Sequence, residues 1–178
     1  MQSIKNNENL EKLNHSCAHL MAHAVKRLYP KAKFWVGPVI EEGFYYDVDL
    51  GEKTLKEEDL REIEEEMRKI VKEGLEIVRH EVTREEALEI FKEDEYKIDL
   101  INNMPSDSTI SYYEQDDFFD LCSGPHVDNT KVLSNFKLLK LSGAYWKGDS
   151  KNKMLQRVYG ICFTKKEDLK EHLKLLKE

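Results

Sequence analysis

The sequence predicts an α+β fold, in which a mostly antiparallel sheet packs with a long helix that carries histidines. Strand-like runs over 33–40 and 44–50 are joined by a short turn containing Gly43, as in a hairpin. Helical patterns lie in separate parts of the chain and do not alternate regularly with strands. A length of 178 residues suits one domain. We therefore expect a single domain over 1–178, with residues 52–105 as an inserted helical or βα lobe.

The predicted helices follow from apolar spacing and from capping patterns. Apolar residues recur at intervals of three and four over 9–29, and Pro30 ends this first helix. The pattern Thr-x-x-Glu, in which two side chains cap backbone amides reciprocally, begins at Thr54, Thr83 and Thr164. It predicts the starts of a second helix, a short third helix and the C-terminal helix.

Further strands are expected where β-branched and aromatic residues cluster between turn signals. These segments are 75–82, 109–114, 118–122, 138–146 and 154–163. The connection that contains Asn102, Asn103 and Pro105 is polar, and no element is predicted there.

Composition excludes several classes of protein. The longest near-apolar run, 34–40, is broken by Gly37-Pro38 and is far shorter than the ~20 residues of a membrane-spanning helix. Three cysteines, odd in number and far apart, argue against a disulfide framework and for a reducing compartment. The first residues are polar and lack the apolar segment of a secretory signal. We therefore expect a cytoplasmic protein that does not contact membranes.

The charge is distributed unevenly along the chain. A net charge of −7 argues against nucleic-acid binding through overall basicity. The segment 137–160, however, contains six basic residues and one acid, with Tyr145 and Trp146 among them. Such a segment suits contact with phosphates and with a stacked base. From composition alone, an ordinary exposed hairpin explains it about as well.

The first helix contains three regularly spaced histidines. His15, His19 and His23 lie four residues apart, which places His15 and His19 on one face, opposite the apolar stripe. Their neighbours Ala18 and Ala22 are small enough to let another element or a ligand come close. The alternative is a row of solvated surface histidines.

A second group of chemically competent residues follows far along the chain, in Asp120-Leu-Cys122-Ser-Gly-Pro-His126. The Gly124-Pro125 pair favours a tight turn that brings Cys122 and His126 to one side. Two helix ligands and two loop ligands suit a tetrahedral zinc site. The same residues suit a metal-free hydrolytic cleft in which Asp120 orients an imidazole, or a cysteine hydrolase with Cys122 as nucleophile.

Four motifs make a family resemblance specific. They are N-H-S-C-A-H-L over 14–20, G-F-Y-Y-D over 43–47, C-S-G-P-H-V over 122–127, and Y-W-K-G-D with M-L-Q-R-V-Y-G within 143–160. In this order they resemble the editing (N2) domain of bacterial-type threonyl-tRNA synthetase, of the threonyl/alanyl-tRNA synthetase second-additional-domain family. The similarity runs from about His15 to the C-terminal helix.

The resemblance implies an aminoacyl-tRNA hydrolase that clears seryl-tRNA(Thr), in a chain that does not itself charge tRNA. Serine is threonine minus one methyl group, and lost contacts reject a smaller substrate by only ~1–3 kcal/mol. A second, hydrolytic site must therefore remove the error. The implied partners are tRNA(Thr) and seryl-tRNA(Thr).

The resemblance also implies roles for individual residues. The catalytic set it implies is His15, His19, Lys97, Asp120, Cys122 and His126, with Tyr46 as a substrate-binding residue. The need for close walls adds Gly37 and Ala18 to the substrate-binding set, and the basic segment supplies the tRNA-binding set of Lys147, Lys151 and Arg157. No cofactor is expected. The alternative is zinc on His15, His19, Cys122 and His126, in an alanyl-type trans-editing deacylase or a zinc-stabilised tRNA-binding module. Without the family, Lys97 is interpreted as a solvated lysine and Tyr46 as a core residue.

Overall fold

Two antiparallel sheets and five helices make up residues 4–177, the part of the chain that this computed structural model describes. The helices are α1 (Glu8–Leu28), α2 (Asp59–Glu73), α3 (Arg84–Ile90), α4 (Glu95–Asn102) and α5 (Lys166–Lys177). The strands are β1 (Lys33–Phe34), β2 (Val39–Ile40), β3 (Gly43–Asp49), β4 (Val78–Val82), β5 (Ile110–Gln115), β6 (Phe118–Leu121), β7 (Asn135–Tyr145) and β8 (Met154–Phe163). The predicted α+β class is confirmed.

The larger sheet has the strand order β1-β3-β8-β7, and β2 also pairs with β3. The smaller sheet has the order β4-β5-β6. Each pairing in both sheets is antiparallel, so each strand reaches its neighbour without a parallel crossover. None of the helices within residues 4–177 combines the length and the apolar character that a membrane crossing needs.

Helix α1 lies at the centre of the molecule. Asn7 caps its start by accepting hydrogen bonds from the amides of Asn9 and Leu10, and the helix ends shortly before Pro30. Residues 16–25 are buried without interruption, so neighbours cover this helix on every side. Its apolar side belongs to the main core with the larger sheet and α2. The histidine side faces the β5–β6 hairpin, and the alternative of solvated surface histidines is therefore wrong.

The segment 52–105 is divided between two hydrophobic cores. Leu60, Ile63 and Met67 of α2 are buried in the main core, next to α1. A second core forms around Ala87, Phe91, Ile101 and Ile110. The description of 52–105 as one inserted lobe of a single domain over 1–178 stays a prediction.

Local backbone chemistry explains where the strands and helices differ from expectation. The predicted strand 33–40 is interrupted over 35–38, because this stretch has one residue more than the stretch of β3 opposite it; only β1 and β2 remain at its ends. The prediction of a helix start at Thr54 is wrong. Helix α2 begins at Asp59, and no side chain caps its N-terminal residue. At Thr83 the predicted reciprocal cap with Glu86 is confirmed.

Helix α4 was not expected from the sequence. Asp94 caps it by accepting hydrogen bonds from the amides of Tyr96 and Lys97. The Asp94 carboxylate also accepts a 2.8 Å hydrogen bond from the amide of Phe34, which ties the start of α4 to β1. An eight-residue helix depends on such tertiary contacts, because isolated helices of this length are unstable.

Candidate active site

The two histidine-containing motifs meet in space. Donor atoms of His15, His19, Cys122 and His126 all lie within 4.8 Å of one another. The Cys122 Sγ atom is 3.2 Å from His15 Nε2 and 3.1 Å from His126 Nε2. Helix α1 supplies two of these side chains, and the loop after β6 supplies the other two. The predicted convergence of helix and loop is thus present in the structure.

The turn after Cys122 needs a glycine. Gly124 has a φ of 81°, and a Cβ atom added there would lie 2.0 Å from the hydroxyl oxygen of Tyr113. Its amide donates to Cys122 Sγ across 3.4 Å. The turn therefore brings Cys122 and His126 to the same side of the loop.

Asp120 is the centre of a buried polar network. Its carboxylate lies 2.8 Å from Lys97 Nζ and 3.2 Å from His19 Nε2, and it accepts a 2.6 Å hydrogen bond from the Tyr46 hydroxyl. Asp120 is 1% exposed and Lys97 is 3% exposed. The interpretation of Lys97 as a solvated lysine is therefore wrong.

The ammonium group of Lys97 is held by three protein partners. It donates to the carbonyl oxygen of Trp35 and to the Tyr46 hydroxyl at 2.9 Å each, in addition to its ion pair with Asp120. Two of the three ammonium hydrogens are thus used by neutral oxygens of the protein, and the charge lies against the Asp120 carboxylate. Lys97 therefore acts here as a fixed positive charge that holds Tyr46 and Asp120 in place.

Ser16 determines which nitrogen of His126 carries hydrogen. The Ser16 hydroxyl donates to the Lys12 carbonyl at 2.9 Å, which uses its single hydrogen. His126 Nδ1, 3.1 Å from Ser16 Oγ, must therefore be the donor of that pair. This leaves His126 Nε2 as an acceptor that faces Cys122. Ser16 was not among the predicted site residues, although its position between the two histidines of α1 places it at the site.

Burial keeps the site in its uncharged form. Desolvation lowers the pKa values of His15, His19 and His126 below the ordinary histidine value. Burial raises the pKa of the Cys122 thiol to about 11. At neutral pH, the three imidazoles and the thiol of the protein without metal are thus neutral.

Two cavities adjoin the site. The smaller one, about 250 Å³, is lined by His15, His19, Trp35, Val36, Gly37, Pro38, Tyr46, Lys97, Leu100, Leu121, Cys122 and Ser123. The larger one, about 750 Å³, is lined by Glu8, Asn9, Glu11, Lys12, His15, Pro38, Val39, Gly124 and Pro125. His15 and Pro38 line both, so the imidazole of His15 lies where the two cavities meet.

The predicted substrate-binding residues separate into two groups. Tyr46 and Gly37 line the smaller cavity and contact each other closely, since a Cβ atom on Gly37 would lie 2.5 Å from the Tyr46 ring. Ala18 is fully buried in the main core and does not line either cavity. The prediction that Ala18 is part of the pocket wall is therefore wrong, because its side chain is enclosed by residues of the main core.

The predicted tRNA-binding residues also differ in their surroundings. Lys151 and Lys147 are both exposed, and Lys147 makes an ion pair with Asp99 at 3.0 Å. Arg157 instead makes two hydrogen bonds to the Asp47 carboxylate, of 2.8 and 3.0 Å. Its guanidinium is already neutralised within the protein, which argues against the predicted phosphate contact for Arg157.

The third histidine of α1 fixes the hairpin that carries Asp120. His23 is 1% exposed, accepts a 2.9 Å hydrogen bond from the Gln115 amide group, and lies 3.3 Å from Asp117. Its ring stacks on Phe118 with the centroids 5.1 Å apart. The regular four-residue spacing of the histidines was the sequence signal for this contact.

Comparison with known proteins defines the class. Residues 110–159 match the family described as "Threonyl and Alanyl tRNA synthetase second additional domain". This segment holds the β5–β6 hairpin, Asp120, Cys122 and His126. Over this segment the chain is thus similar to the threonyl/alanyl second additional domain, and its relatives carry the similarity over nearly its whole length.

The relatives within this family are threonine–tRNA ligases. The chain is 61% identical over 173 residues to Threonine--tRNA ligase of Geobacillus sp. (strain WCH70) and 57% identical to Threonine--tRNA ligase 1 of Bacillus subtilis (strain 168). Both alignments cover 96% of this chain and 27% of the relative. The chain therefore spans about a quarter of the length of these curated relatives, and the resemblance seen in the sequence is confirmed.

Proposed function

We propose that this chain hydrolyses the ester bond of seryl-tRNA(Thr) and thereby removes serine attached to the wrong tRNA. The observation that carries the proposal is the position of His15 between a small cavity and a larger one. The small cavity accommodates the amino acid, and the larger cavity accommodates the terminal nucleoside. The ester bond that joins them then lies beside the imidazole of His15.

The reaction needs an oriented water molecule, a group that accepts its proton, and a fixed positive charge near the carbonyl oxygen, where negative charge develops. The water oxygen attacks the ester carbonyl carbon, the bond from that carbon to the ribose oxygen breaks, and the ribose oxygen takes up a proton. His15 is neutral and faces both cavities, so it orients the water and accepts its proton. The positive charge of Lys97, fixed by Asp120 and Tyr46, stabilises the developing negative charge on the carbonyl oxygen.

Selectivity against threonine follows from rigid walls. Gly37 and Pro38 form one side of the smaller cavity, and the Tyr46 ring, fixed by its hydroxyl contacts, forms another. A wall that cannot yield excludes one additional methyl group by overlap, whereas a larger pocket cannot reject a smaller side chain as strongly. Correctly charged threonyl-tRNA is therefore spared.

Deacylation of seryl-tRNA(Thr) and threonyl-tRNA(Thr), measured side by side, tests this function. We expect serine release at least about tenfold faster than threonine release. His15→Ala and Lys97→Ala should each lower the rate by about 10²-fold or more. The first removes the group that orients the water, and the second removes the positive charge near the carbonyl oxygen. His80→Ala, a histidine on the partly exposed strand β4, is the matched control. Equal rates on both substrates, or hydrolysis of serine from tRNA(Ala) only, would contradict the assignment.

A second candidate is a zinc-dependent alanyl-type deacylase, or a zinc-stabilised tRNA-binding module. The four closely spaced donor atoms and the free Nε2 of His126 favour it. Zinc bound there would supply a polarised water. However, His19 Nε2 must carry hydrogen to pair with the Asp120 carboxylate, so only its Nδ1 remains for a metal.

Metal analysis of the purified chain separates these two candidates. We propose a metal-free mechanism, with less than ~0.2 zinc per chain and deacylation that survives a chelator. Stoichiometric zinc with chelator-sensitive hydrolysis would favour the zinc-dependent candidate. A covalent seryl thioester on Cys122 would instead establish a cysteine nucleophile.

The wider setting is also a proposal. The three cysteines are free thiols, which suits a reducing compartment such as the cytoplasm. The partner is tRNA(Thr), contacted through Lys147 and Lys151 of the basic segment. We propose that this chain, which spans 27% of its Geobacillus relative, does not itself attach threonine to tRNA.

A further inference from the structure

Helix α4 carries Lys97 and has little capacity to hold that side chain in place by itself. It spans only Glu95–Asn102, and a helix of this length is positioned by its tertiary contacts. The start of the helix is fixed by Asp94, and Lys97 lies one turn inside. Tyr96, which directly precedes Lys97, has no part in the proposed chemistry and is nevertheless one of the most deeply buried side chains of the described chain.

Tyr96 connects α4 to the larger sheet through a single strong hydrogen bond. Its hydroxyl donates to Asp49 Oδ2 across 2.6 Å, and the residue is 1% exposed. The edge of its ring contacts Trp146, with centroids 5.0 Å apart and an interplanar angle of 89°. These contacts lie on the side of α4 that is anchored to β3 and to the turn between β7 and β8.

The acceptor of this bond is itself fixed. Asp49 Oδ2 also accepts a 2.8 Å hydrogen bond from Lys153, and Asp49 Oδ1 accepts a 2.9 Å hydrogen bond from the amide of Gly51. Asp49 therefore keeps two partners when the Tyr96 hydroxyl is removed. Loss of that hydroxyl affects the position of α4 and leaves no buried carboxylate unpaired.

We propose that Tyr96 is a positioning residue for the hydrolysis, which holds α4 in the orientation that lets Lys97 reach Trp35, Tyr46 and Asp120 together. The inference rests on the proposed function, because it assigns Tyr96 a role in that same reaction. All three acceptors of Lys97 belong to elements other than α4, so a small rotation of this helix breaks several contacts at once. Tyr96 opposes that rotation.

The substitution Tyr96→Phe tests this role because it removes only the hydroxyl group. We expect the rate of seryl-tRNA(Thr) hydrolysis at saturating tRNA to fall about tenfold, with the half-saturating tRNA concentration unchanged. Tyr112→Phe is the matched control, since Tyr112 packs against the second core and is not a partner of Lys97, and it should react like the unaltered chain. A normal rate for Tyr96→Phe would overturn the positioning role.

A double-mutant cycle with Lys97→Ala distinguishes positioning from general destabilisation. If Tyr96 acts through Lys97, Tyr96→Phe changes the residual rate of the Lys97→Ala chain less than about twofold. A further tenfold loss in that background would show a purely structural effect and overturn the role. Asp49→Asn weakens the same hydrogen bond from the acceptor side. Its effect on the rate should likewise be much smaller in the Lys97→Ala chain than in the otherwise unaltered chain.

The outcomes of this experiment separate the inference from the function on which it rests. Absence of seryl-tRNA(Thr) hydrolysis by the unaltered chain overturns the proposed function and the role of Tyr96 with it. The role of Tyr96 alone is overturned if the unaltered chain hydrolyses seryl-tRNA(Thr) normally and Lys97→Ala loses most of the rate, but Tyr96→Phe loses none.

Discussion

Replacing Gly37 by alanine brings a methyl group into the ring of Tyr46. The added Cβ atom would lie 2.5 Å from Tyr46 Cδ2 and 2.8 Å from Cε2, whereas ordinary contact begins at 3.4 Å. The ring must therefore move by roughly 0.9 Å, the difference between 3.4 and 2.5 Å. Tyr46 is 1% exposed and its ring packs edge-on against Phe34, so it has little room to move.

The displacement has two measurable consequences. Overpacking of a tight core typically costs about 1–3 kcal/mol of the free energy of unfolding. The Tyr46 hydroxyl also loses its 2.6 Å bond to Asp120 and its 2.9 Å bond from Lys97. Because a shift of about 1 Å in a catalytic frame costs up to ~10²-fold in rate, we expect seryl-tRNA(Thr) hydrolysis to fall by about ten- to a hundredfold.

Urea denaturation and single-turnover deacylation measure these two effects. Gly143→Ala is the matched control, because its new Cβ atom meets only the side chain of Met154, whose residue is 53% exposed. We expect Gly143→Ala to keep the rate of the unaltered chain. A Gly37→Ala chain with unaltered stability and unaltered rate would show that the Tyr46 ring is not held as described.

Three further predictions concern other parts of the molecule. Replacing Lys147 and Lys151 by Glu should weaken binding of charged and uncharged tRNA equally and reduce the salt dependence of binding, since phosphate contacts do not read the amino acid; unchanged affinity and salt slope would exclude this surface. Cys122→Ser should retain part of the hydrolysis rate, because the thiol lines the cavity and its hydrogen bond to His126 is replaceable by a hydroxyl; complete loss with normal folding would contradict this. Burial lowers the pKa of His172 from 6.5, so below about pH 6.5 the unfolded chain binds a proton that the folded chain does not. The free energy of unfolding of His172→Leu should therefore fall less than that of the unaltered chain between about pH 7 and pH 5.5, as measured by urea denaturation, and identical pH dependences would refute this.

The sequence predicted those parts of the structure that depend on local periodicity and capping. Helix α1 and strand β8 have nearly or entirely the predicted bounds, because an apolar stripe and an uninterrupted β-rich run specify them locally. Helix α4 has no such stripe and is held by Asp94 and Tyr96, whose partners Phe34 and Asp49 are far away in the chain. Distant partners of this kind are not visible in local patterns.

The candidate site was also predictable only where local sequence patterns specify it. The spacing of His15 and His19 and the turn after Cys122 predicted that these side chains converge, and they do. The role of Ser16 was not predictable, because it depends on the Lys12 carbonyl and on His126 at once. The misplacement of Ala18 has the same origin. A helix covered on every side has no free face, so position on a helical wheel does not determine which neighbour covers a residue.

The division of the site between α1 and the β5–β6 hairpin has a consequence for the folding chain. His15 and Cys122 are 107 residues apart in sequence, and their side chains meet only when the hairpin docks on α1. A partly folded chain therefore contains all these side chains without the assembled site, and under the proposed function we expect it to leave charged tRNA intact. Conversely, a ligand held between helix and hairpin favours the docked state by mass action, so substrate binding should protect the chain against unfolding.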